Sequence, residues 1–153
     1  MSRSAGILLY RLREGVPEVL LVHPGGPFWA RKENGVWSIP KGEHDEDEDL
    51  QATALREFVE ETGAAPPPGP LADLGTVRLK SGKVVAAWAV EGDLDPETIN
   101  SNTFELEWPP RSGRSQEFPE VDRAGWFGLD AARAKLNPAQ AAFVDRLEAL
   151  LGR

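Results

Sequence analysis

The sequence predicts an α+β fold in which a mixed, or partly antiparallel, β-sheet packs against helices. Strand-like apolar runs occur in pairs around short turns, two stretches have helical periodicity with recognisable ends, and the chain has no internal repeat. A chain of 153 residues is long enough to bury one hydrophobic core. We therefore expect a single domain over residues 1–153.

The first half of the chain begins with two predicted strands. "AGILLYR" (Ala5–Arg11) and "EVLLVH" (Glu18–His23) flank a short polar loop, which is typical of an antiparallel pair. A glycine- and proline-rich loop follows, and "VWSIP" can form a short strand that ends at its proline. From about Asp49 to Thr62 the pattern is helical, because Asp49 can cap the first turn and the next residue, Gly63, can stop the helix.

The second half continues with strands and ends in a helix. After the linker "AAPPPGP", two strand-like runs surround Ser81-Gly82 as a hairpin, and "TFELEW" (Thr103–Trp108) alternates as a further strand. "PPRSGRSQEFPE" is predicted to be a loop, and "AGWFGL" a final strand. The last helix starts in "NPAQAAFVDRLEALLG", with Asn137 as N-cap and Pro138 in the first turn.

Composition excludes several classes of function. Cysteine is absent, so disulfides, thiolate metal sites and a cysteine nucleophile are impossible, and a metal must bind oxygen or histidine. A net charge of -8 argues against an extended nucleic-acid groove and against binding to anionic membranes. The apolar run in "MSRSAGILLYRLREG" is too short for a signal peptide or a membrane span, so we expect a cytoplasmic protein.

The first predicted helix places acids where a helix disfavours them. Glu57, Glu60 and Glu61 are like charges three and four residues apart near the negative end of the helix dipole, which costs roughly 0.2–1 kcal/mol for each interaction. The helical wheel puts them opposite an apolar face that includes Phe58 and Val59. A solvated surface face is the simplest explanation, but a divalent cation would turn every one of these penalties into an attraction.

Two cation-binding patterns can be compared with the acidic stretch. In an EF-hand that starts at Asp45, the sixth residue would be Leu50 instead of glycine, and the twelfth would be Arg56 instead of glutamate, so that pattern fails. The second pattern is G-x5-E-x7-R-E-U-x-E-E-x-G-U, with U an aliphatic or aromatic residue. Its fixed positions are all present in this chain: Gly42, Glu48, Arg56, Glu57, Glu60, Glu61 and Gly63.

These residues resemble the box of the Nudix hydrolases. The resemblance implies an α/β/α sandwich with a mixed sheet between helices, and hydrolysis of a pyrophosphate linkage in a nucleoside diphosphate derivative. The sequence departs from the usual box at Ala64, which is small for the last U position, and at Asp47, where many members have glycine. Neither departure removes an expected metal ligand.

The resemblance also implies roles for the box residues. Mg²⁺ or Mn²⁺ is the expected cofactor, bound by oxygen atoms as these hard ions prefer. Its expected ligands are the carboxylates of Glu57, Glu60 and Glu61 and the carbonyl of Gly42. Arg56 and Glu48 are expected to orient those ligands.

The general base is less well defined by the sequence. In this family it comes from the box or from a later loop, and Glu120 is the first loop candidate because it precedes a strand that could return beside the helix. Glu117 is the second candidate. His23 and His44 are too few and too isolated for a zinc site, so we expect structural roles for both.

Within the family, the stretch from "VWSIPKG" through "ATALREFVEETG" is most similar to the diadenosine tetraphosphate hydrolases. Lys41 is then expected to face the polyphosphate, with help from Lys32 and Lys83. A nucleobase needs an aromatic or apolar slot, for which Trp29, in a loop, is the preferred residue. The other aromatic candidates are Trp37, Trp88 and Phe118.

The predicted function is metal-dependent cleavage of nucleoside polyphosphates, with dinucleoside polyphosphates preferred and nucleoside triphosphates next. One alternative is removal of pyrophosphate from the 5′ end of RNA, against which the acidic net charge counts. Another is a Nudix domain that binds nucleotides without cleaving them, although no box carboxylate is missing. The expected partner is a small nucleotide, for a monomer or a homodimer.

Overall fold

The computed structural model describes residues 3–153 of the chain. The strands are β1 (Arg3–Arg13), β2 (Val16–Pro24), β3 (Lys41–Glu43), β4 (Ala72–Arg78), β5 (Val84–Glu91), β6 (Thr103–Glu107), β7 (Ser115–Pro119) and β8 (Val121–Gly128). The helices are α1 (Leu50–Thr62), α2 (Leu129–Lys135) and α3 (Ala141–Leu150), with short 3₁₀ turns at Pro96–Thr98 and Pro138–Gln140.

The main sheet is mixed, as predicted. Its strand order is β4-β5-β1-β2-β8, and β3 pairs separately with β1. β1 runs parallel to β5, with Ile7 opposite Trp88, whereas the other pairs in this sheet are antiparallel. The predicted pairing of the first two strands and the hairpin around Ser81-Gly82 are both confirmed.

Helices cover both faces of the sheet, which confirms the α/β/α sandwich. Successive residues of β1 alternate between the faces: Ile7 and Leu9 pack with Phe58 of α1, whereas Leu8 packs with Phe143 of α3. All five side chains are fully buried. The sheet is therefore the shared floor of two apolar cores, and α1 is held rigidly on one of them.

Three local predictions need correction. "VWSIP" forms only isolated bridges, from Trp37 to Leu136 and from Ser38 to Val22, and the regular short strand is β3 immediately after it. The predicted loop "PPRSGRSQEFPE" contains β7, which pairs with β6 in a separate two-stranded sheet. Helix α2 follows β8 and was not predicted, because its seven residues are too few to give a clear helical period.

The ends of α1 are as predicted, but its faces are not. Asp49 accepts a hydrogen bond from the Ala52 N–H at 2.8 Å, and Gly63 ends the helix with φ 76°. Val59, expected in the core, is 43% exposed. The buried face instead turns toward Glu57, whose side chain is only 12% exposed. None of the helices in residues 3–153 is long and apolar enough to cross a membrane.

Candidate active site

The carboxylate of Glu57 lies directly against the backbone of Gly42. β3 pairs with β1, which places Gly42 opposite Ala5 and carries the preceding loop beneath α1. A Cβ added at Gly42 would lie 1.9 Å from Glu57 Cδ and 2.0 Å from its Oε1. Only glycine allows this approach, so the first box residue and its first helical glutamate form one compact unit.

Glu57 and Glu61 point into the protein, one helical turn apart on the same face. Burial raises the pKa of Glu57 to about 7, and the neighbouring Glu60 adds to the shift. Burial raises the pKa of Glu61 to about 8, although the Lys41 N–H donates to Glu61 Oε1 at 3.2 Å. Two acids that resist ionisation at neutral pH therefore lie side by side in the box.

Arg56 links the remaining box acids. Its Nε and Nη2 donate to the Glu48 carboxylate at 2.9–3.2 Å, and its Nη1 donates to Glu57 at 2.8 Å and to Glu60 at 3.0 Å. The pKa of Glu48 is lowered by the Arg56 hydrogen bonds. One guanidinium thus orients three carboxylates, which is the geometry expected of an orienting residue.

Thr53 is a site neighbour that the sequence did not identify. It is fully buried on α1, and its hydroxyl donates to Glu48 Oε1 at 2.8 Å. This bond adds a second residue to Arg56 in fixing the Glu48 carboxylate. The sequence signal for this contact is a threonine one helical turn before the box arginine. A threonine at that position is equally consistent with ordinary helix packing.

Glu120 lies at the carboxyl end of α1, brought there by main-chain hydrogen bonds. The Asn102 N–H donates to Glu60 O at 2.8 Å, the Glu120 N–H donates to Asn102 O at 2.8 Å, and the Gly25 N–H donates to Glu120 O at 2.9 Å. The pKa of Glu120 is raised by burial and by Glu60. Glu117, the second candidate, lies in β7 and is exposed opposite Glu105.

Two lysines lie near the box, Lys41 at the start of β3 and Lys83 immediately before β5. Burial lowers the pKa of Lys41, an effect that Glu61 opposes and nearby Lys83 reinforces. Lys83 donates to Glu43 at 2.9 Å. The two predicted phosphate partners are therefore close together, and Lys41 is the one next to Glu61.

A cavity of about 240 Å³ opens beside Lys41. Its wall includes Trp29, Asn137 and Gln140. The Lys32 ammonium lies 5.2 Å from the centre of the Trp29 ring, so Lys32 contacts the aromatic wall and not the box. The structure thus brings Trp29 and Lys41, each predicted to contact substrate, to one cavity.

Asn137 and Gln140 were not identified as site residues from the sequence. Gln140 is 1% exposed, and its Oε1 accepts from the Ile39 N–H at 3.0 Å, which fixes the segment before β3. Asn137 caps the last helical segment, as predicted, through a hydrogen bond from the Ala139 N–H at 3.2 Å. A helix cap gives no separate sign that the same residue lines a cavity.

The remaining candidates have structural surroundings. His23 is fully buried between Asp122 at 2.8 Å and the Lys32 carbonyl at 2.7 Å, and it anchors the loop that bears Trp29. Trp37 is 4% exposed in the core, which rules out a free stacking surface in this conformation. His44 bonds the Glu48 carbonyl within the acidic loop. Trp88 packs around the α1 core, and Phe118 packs on Phe104.

The donor set suits a hard divalent cation. It consists of carboxylate oxygens and the main chain of Gly42, without sulfur or nitrogen. Within residues 3–153, no group of three or more histidine, aspartate or glutamate side chains already has metal-binding geometry. Glu57 and Glu60 are instead joined by Arg56.

The sandwich, the intact box on α1 and the adjoining lysines define the class of this protein, a Nudix pyrophosphohydrolase. The chain belongs to the NUDIX domain family, since the sequence model of that family, described as "NUDIX domain", matches residues 2–147. This confirms the resemblance found in the sequence. No curated protein matches the sequence significantly.

Several solved structures share the fold over nearly the whole chain. An Ap4A hydrolase binary complex from C. elegans has a TM-score of 0.71 at 21% identity, covering 99% of this chain and 98% of that one. The NUDIX domain of Shewanella oneidensis NrtR, complexed with ADP ribose, has a TM-score of 0.64 at 21% identity, covering 97% and 87%. A MutT protein from Methanosarcina mazei Go1 has a TM-score of 0.64 at 20% identity, covering 99% and 96%. At these identities the likeness concerns the fold.

Proposed function

We propose that this protein hydrolyses the pyrophosphate linkage of nucleoside polyphosphates with Mg²⁺ or Mn²⁺, acting first on dinucleoside polyphosphates such as diadenosine tetraphosphate and next on nucleoside triphosphates. The observation that carries the proposal is the buried pair Glu57 and Glu61, whose pKa values are raised to about 7 and about 8. Such a pair favours either protons or a cation. A divalent ion that binds there would keep both carboxylates ionised.

The ligands would be Glu57, Glu60, Glu61 and the Gly42 carbonyl. When bound, the ion would neutralise charge on the phosphates and lower the pKa of a coordinated water molecule. Arg56 would release Glu60 while continuing to hold Glu48, with which it makes its most numerous hydrogen bonds.

The other polar groups of the site would bind substrate or move a proton. Lys41 and Lys83 would contact phosphate oxygens, since Lys41 is a cation next to Glu61 and Lys83 is near Lys41. Glu120 would accept the proton of the attacking water, because it lies at the carboxyl end of α1 beside Glu60 and its pKa is raised above that of an ordinary glutamate. Trp29, with Lys32 on its ring, would bind one nucleobase at the mouth of the cavity beside Lys41.

The likeness to the C. elegans Ap4A hydrolase supports the choice of first substrate only through the shared fold. The stronger support is within this chain, where a lysine-lined cavity of about 240 Å³ adjoins the box. The aromatic wall, the ammonium groups and the box carboxylates follow one another in space. This spatial order matches a nucleobase followed by its first phosphates. We also propose that residues 1–153 act as a single domain, with no second chain needed to supply these groups.

A substrate panel tests the proposal. Purified protein would be incubated with diadenosine tetraphosphate, ATP, ADP-ribose and triphosphorylated RNA, each with Mg²⁺, Mn²⁺ or EDTA, and the products separated by ion-exchange chromatography. We expect metal-dependent cleavage that is fastest on diadenosine tetraphosphate. Faster cleavage of the RNA would favour the RNA pyrophosphohydrolase alternative.

The binding alternative needs a separate readout. Titration calorimetry with Mn²⁺ should detect tight binding to the wild type and weakened binding to Glu61→Gln, with Glu148→Gln on α3 as a surface control. Nucleotide binding without turnover of any pyrophosphate-linked substrate would reject the enzymatic proposal and support a Nudix domain that only binds.

A further inference from the structure

Two aromatic side chains outside the cavity have no role in the site described so far. Phe28 is 59% exposed, and its ring lies edge-to-face with Trp108 at a centroid distance of 5.5 Å. Phe28 precedes Trp29, yet the two residues have different surroundings: Trp29 lines the cavity beside Lys41, whereas Phe28 contacts the β6–β7 hairpin. We call Phe28 and Trp108 the outer aromatic pair.

The outer aromatic pair is supported by an inner layer of packing. Phe104 and Phe118 stand opposite each other on β6 and β7, with ring centroids 6.0 Å apart. The loop lies on this layer, since a Cβ added at Gly26 would come within 3.0 Å of Phe104. The inner layer attaches the loop to the hairpin, so Phe28 is not needed to fill a core and its ring remains open to a flat ligand.

Both segments that carry the outer pair are attached to the box helix. The hairpin begins just after Asn102, which bonds the Glu60 carbonyl, and ends just before Glu120, which bonds Gly25 at the start of the loop. Trp108 is six residues beyond Asn102, a distance of about 20 Å along an extended strand. Because Phe28 adjoins Trp29 in the chain, the outer pair lies next to the wall of the cavity beside Lys41.

Positive charge surrounds this surface in a protein of net charge -8. "FWARK" in the loop and "WPPRSGR" at the hairpin tip each combine aromatic rings with basic side chains. Arg31, Arg111 and Arg114 are exposed, and within residues 3–153 none has a carboxylate at ion-pair distance. The hairpin acids Glu105, Glu107 and Glu117 are on the face opposite Phe104 and Phe118, because side chains alternate along a strand. The Glu107 carboxylate also accepts a hydrogen bond from the Arg111 N–H at 3.2 Å, so the tip has one acid among its basic side chains.

We propose that the outer aromatic pair stacks on the second nucleobase of a dinucleoside polyphosphate, while the first base occupies the cavity beside Trp29. The free arginines would contact the phosphates between the two bases. This inference rests on the proposed function and deepens it, because it assigns residues that distinguish a substrate with two bases from one with a single base. The ring face of Phe28 and the nearby cations match a base joined to phosphates.

The test compares selectivity. The kcat/KM would be measured with Mg²⁺ for diadenosine tetraphosphate and for ATP, in the wild type, Phe28→Ala, Trp108→Leu and the double variant. Trp108→Leu keeps apolar volume against Phe28 but removes the ring. We expect each single variant to reduce the ratio of the two kcat/KM values about tenfold, and the double variant to reduce it further.

Val16→Ala is the matched control. Val16 is 58% exposed and lies at the far end of β2 from Gly25, so its loss should leave the ratio unchanged. Thermal melting of each variant separates a loss of folding from a loss of selectivity. A destabilised variant that keeps the wild-type ratio would count against the proposal.

The possible outcomes separate a failure of the proposed function from a failure of the second-base site. A wild type that cleaves neither nucleotide defeats the proposed function itself. A wild type that cleaves both, with variants whose ratio equals that of the wild type, overturns only the second-base site. If the variants lose cleavage of triphosphorylated RNA while the ratio for the two nucleotides is unchanged, the outer pair is an RNA surface and the inference is wrong.

Discussion

Two arginines of this protein each donate hydrogen bonds to three carboxylates, and only one of the clusters lies in a candidate active site. Arg133 on α2 binds Asp130, Asp145 and Glu148 at 2.7–2.9 Å and joins α2 to α3. Arg56 on α1 binds Glu48, Glu57 and Glu60 at 2.8–3.0 Å. Arg56 has one longer ion pair besides, with Asp45 at 3.7 Å, so the number of ion pairs hardly separates the two arginines.

Burial and surplus charge make the difference. Glu148 has the least exposed acid side chain of the Arg133 cluster at 40%, whereas Glu57 in the Arg56 cluster is 12% exposed. Near Arg56, the additional acids Glu61 and Glu120 have raised pKa values. Water screens the first cluster, and its net contribution to stability is small. The second cluster has more acid side chains than one guanidinium can pair with, and a further cation would favour their ionised forms.

Replacing one acid of each cluster by glutamine should give the largest difference in activity between the two clusters. Glu57→Gln removes an expected ligand without changing its size, so we expect kcat to fall about 10³-fold with Mg²⁺, in keeping with several kcal/mol of lost charge stabilisation. Glu148→Gln should retain wild-type activity. Steady-state assays on diadenosine tetraphosphate would measure both, and equal activity in the two variants would remove the distinction between the clusters.

A methyl group beside the box carboxylate should have the next largest effect. Gly42→Ala would place its Cβ 1.9 Å from Glu57 Cδ, so the carboxylate must move, and we expect about a 10²-fold loss of kcat/KM with a cost of about 1–3 kcal/mol in stability. Gly69→Ala is the control, since its nearest neighbour, Val90 Cγ2, is 3.7 Å away. Denaturant unfolding and activity assays on both variants check this. Full activity in Gly42→Ala would mean that Glu57 need not stay where it is.

Replacing each arginine by lysine sharpens the comparison. Arg56→Lys keeps the charge but cannot bond Glu48 through two nitrogens while also reaching Glu57, so we expect about a tenfold loss of Mn²⁺ affinity or activity. Arg133→Lys should change stability by less than about 1 kcal/mol and leave activity intact. Calorimetric titration would measure metal affinity. A larger loss of affinity in Arg133→Lys would reverse the assignment of the two clusters.

The smallest effect is expected in the pH dependence of metal-free stability. Glu57 and Glu61 have folded-state pKa values of about 7 and about 8, above the ordinary 4.5. Between about pH 4.5 and these folded-state pKa values, the folded state therefore binds more protons than the unfolded state. The free energy of unfolding that protonation contributes is lost as pH rises through about 7 to 8. In EDTA, the Tm of the wild type should fall by a few degrees from about pH 6 to about pH 9.

Comparison with a variant isolates this contribution from other titrating groups. Glu61→Gln should show a shallower fall of Tm, and Mg²⁺ at the alkaline end should raise the Tm of the wild type more than that of the variant. A Tm difference between the two proteins that does not change with pH would contradict the raised pKa of Glu61.

The sequence predicted the positions of the helices and strands better than it predicted which of their faces are buried. Asp49 and Gly63 defined α1 because caps are local signals, and paired apolar runs defined the hairpins. The helical wheel placed Val59 inside and Glu57 outside, and the structure reverses both. A prediction from hydrophobic periodicity treats buried side chains as apolar. That rule fails in α1, where Glu57 is turned toward the backbone of Gly42.

The site residues also differ in how directly the sequence identifies them. Glu57, Glu61 and Arg56 could be proposed from the sequence because their spacing is fixed within one helix, and their roles stay predictions. Glu120 was a reasonable candidate from its place before a strand, and main-chain bonds bring it to the end of α1. Asn137 could not be found, because its contribution depends on how α3 packs beside the strand-like segment before β3, and no local spacing encodes that contact.

The main-chain links that join Gly25, Asn102 and Glu120 to the end of α1 have an evolutionary consequence. Peptide groups are common to almost every amino acid, so this junction holds its shape whatever side chains stand on it. Position 120 can therefore exchange its acid at little structural expense, and the same scaffold can acquire a new proton acceptor, or lose the old one, without first having to refold.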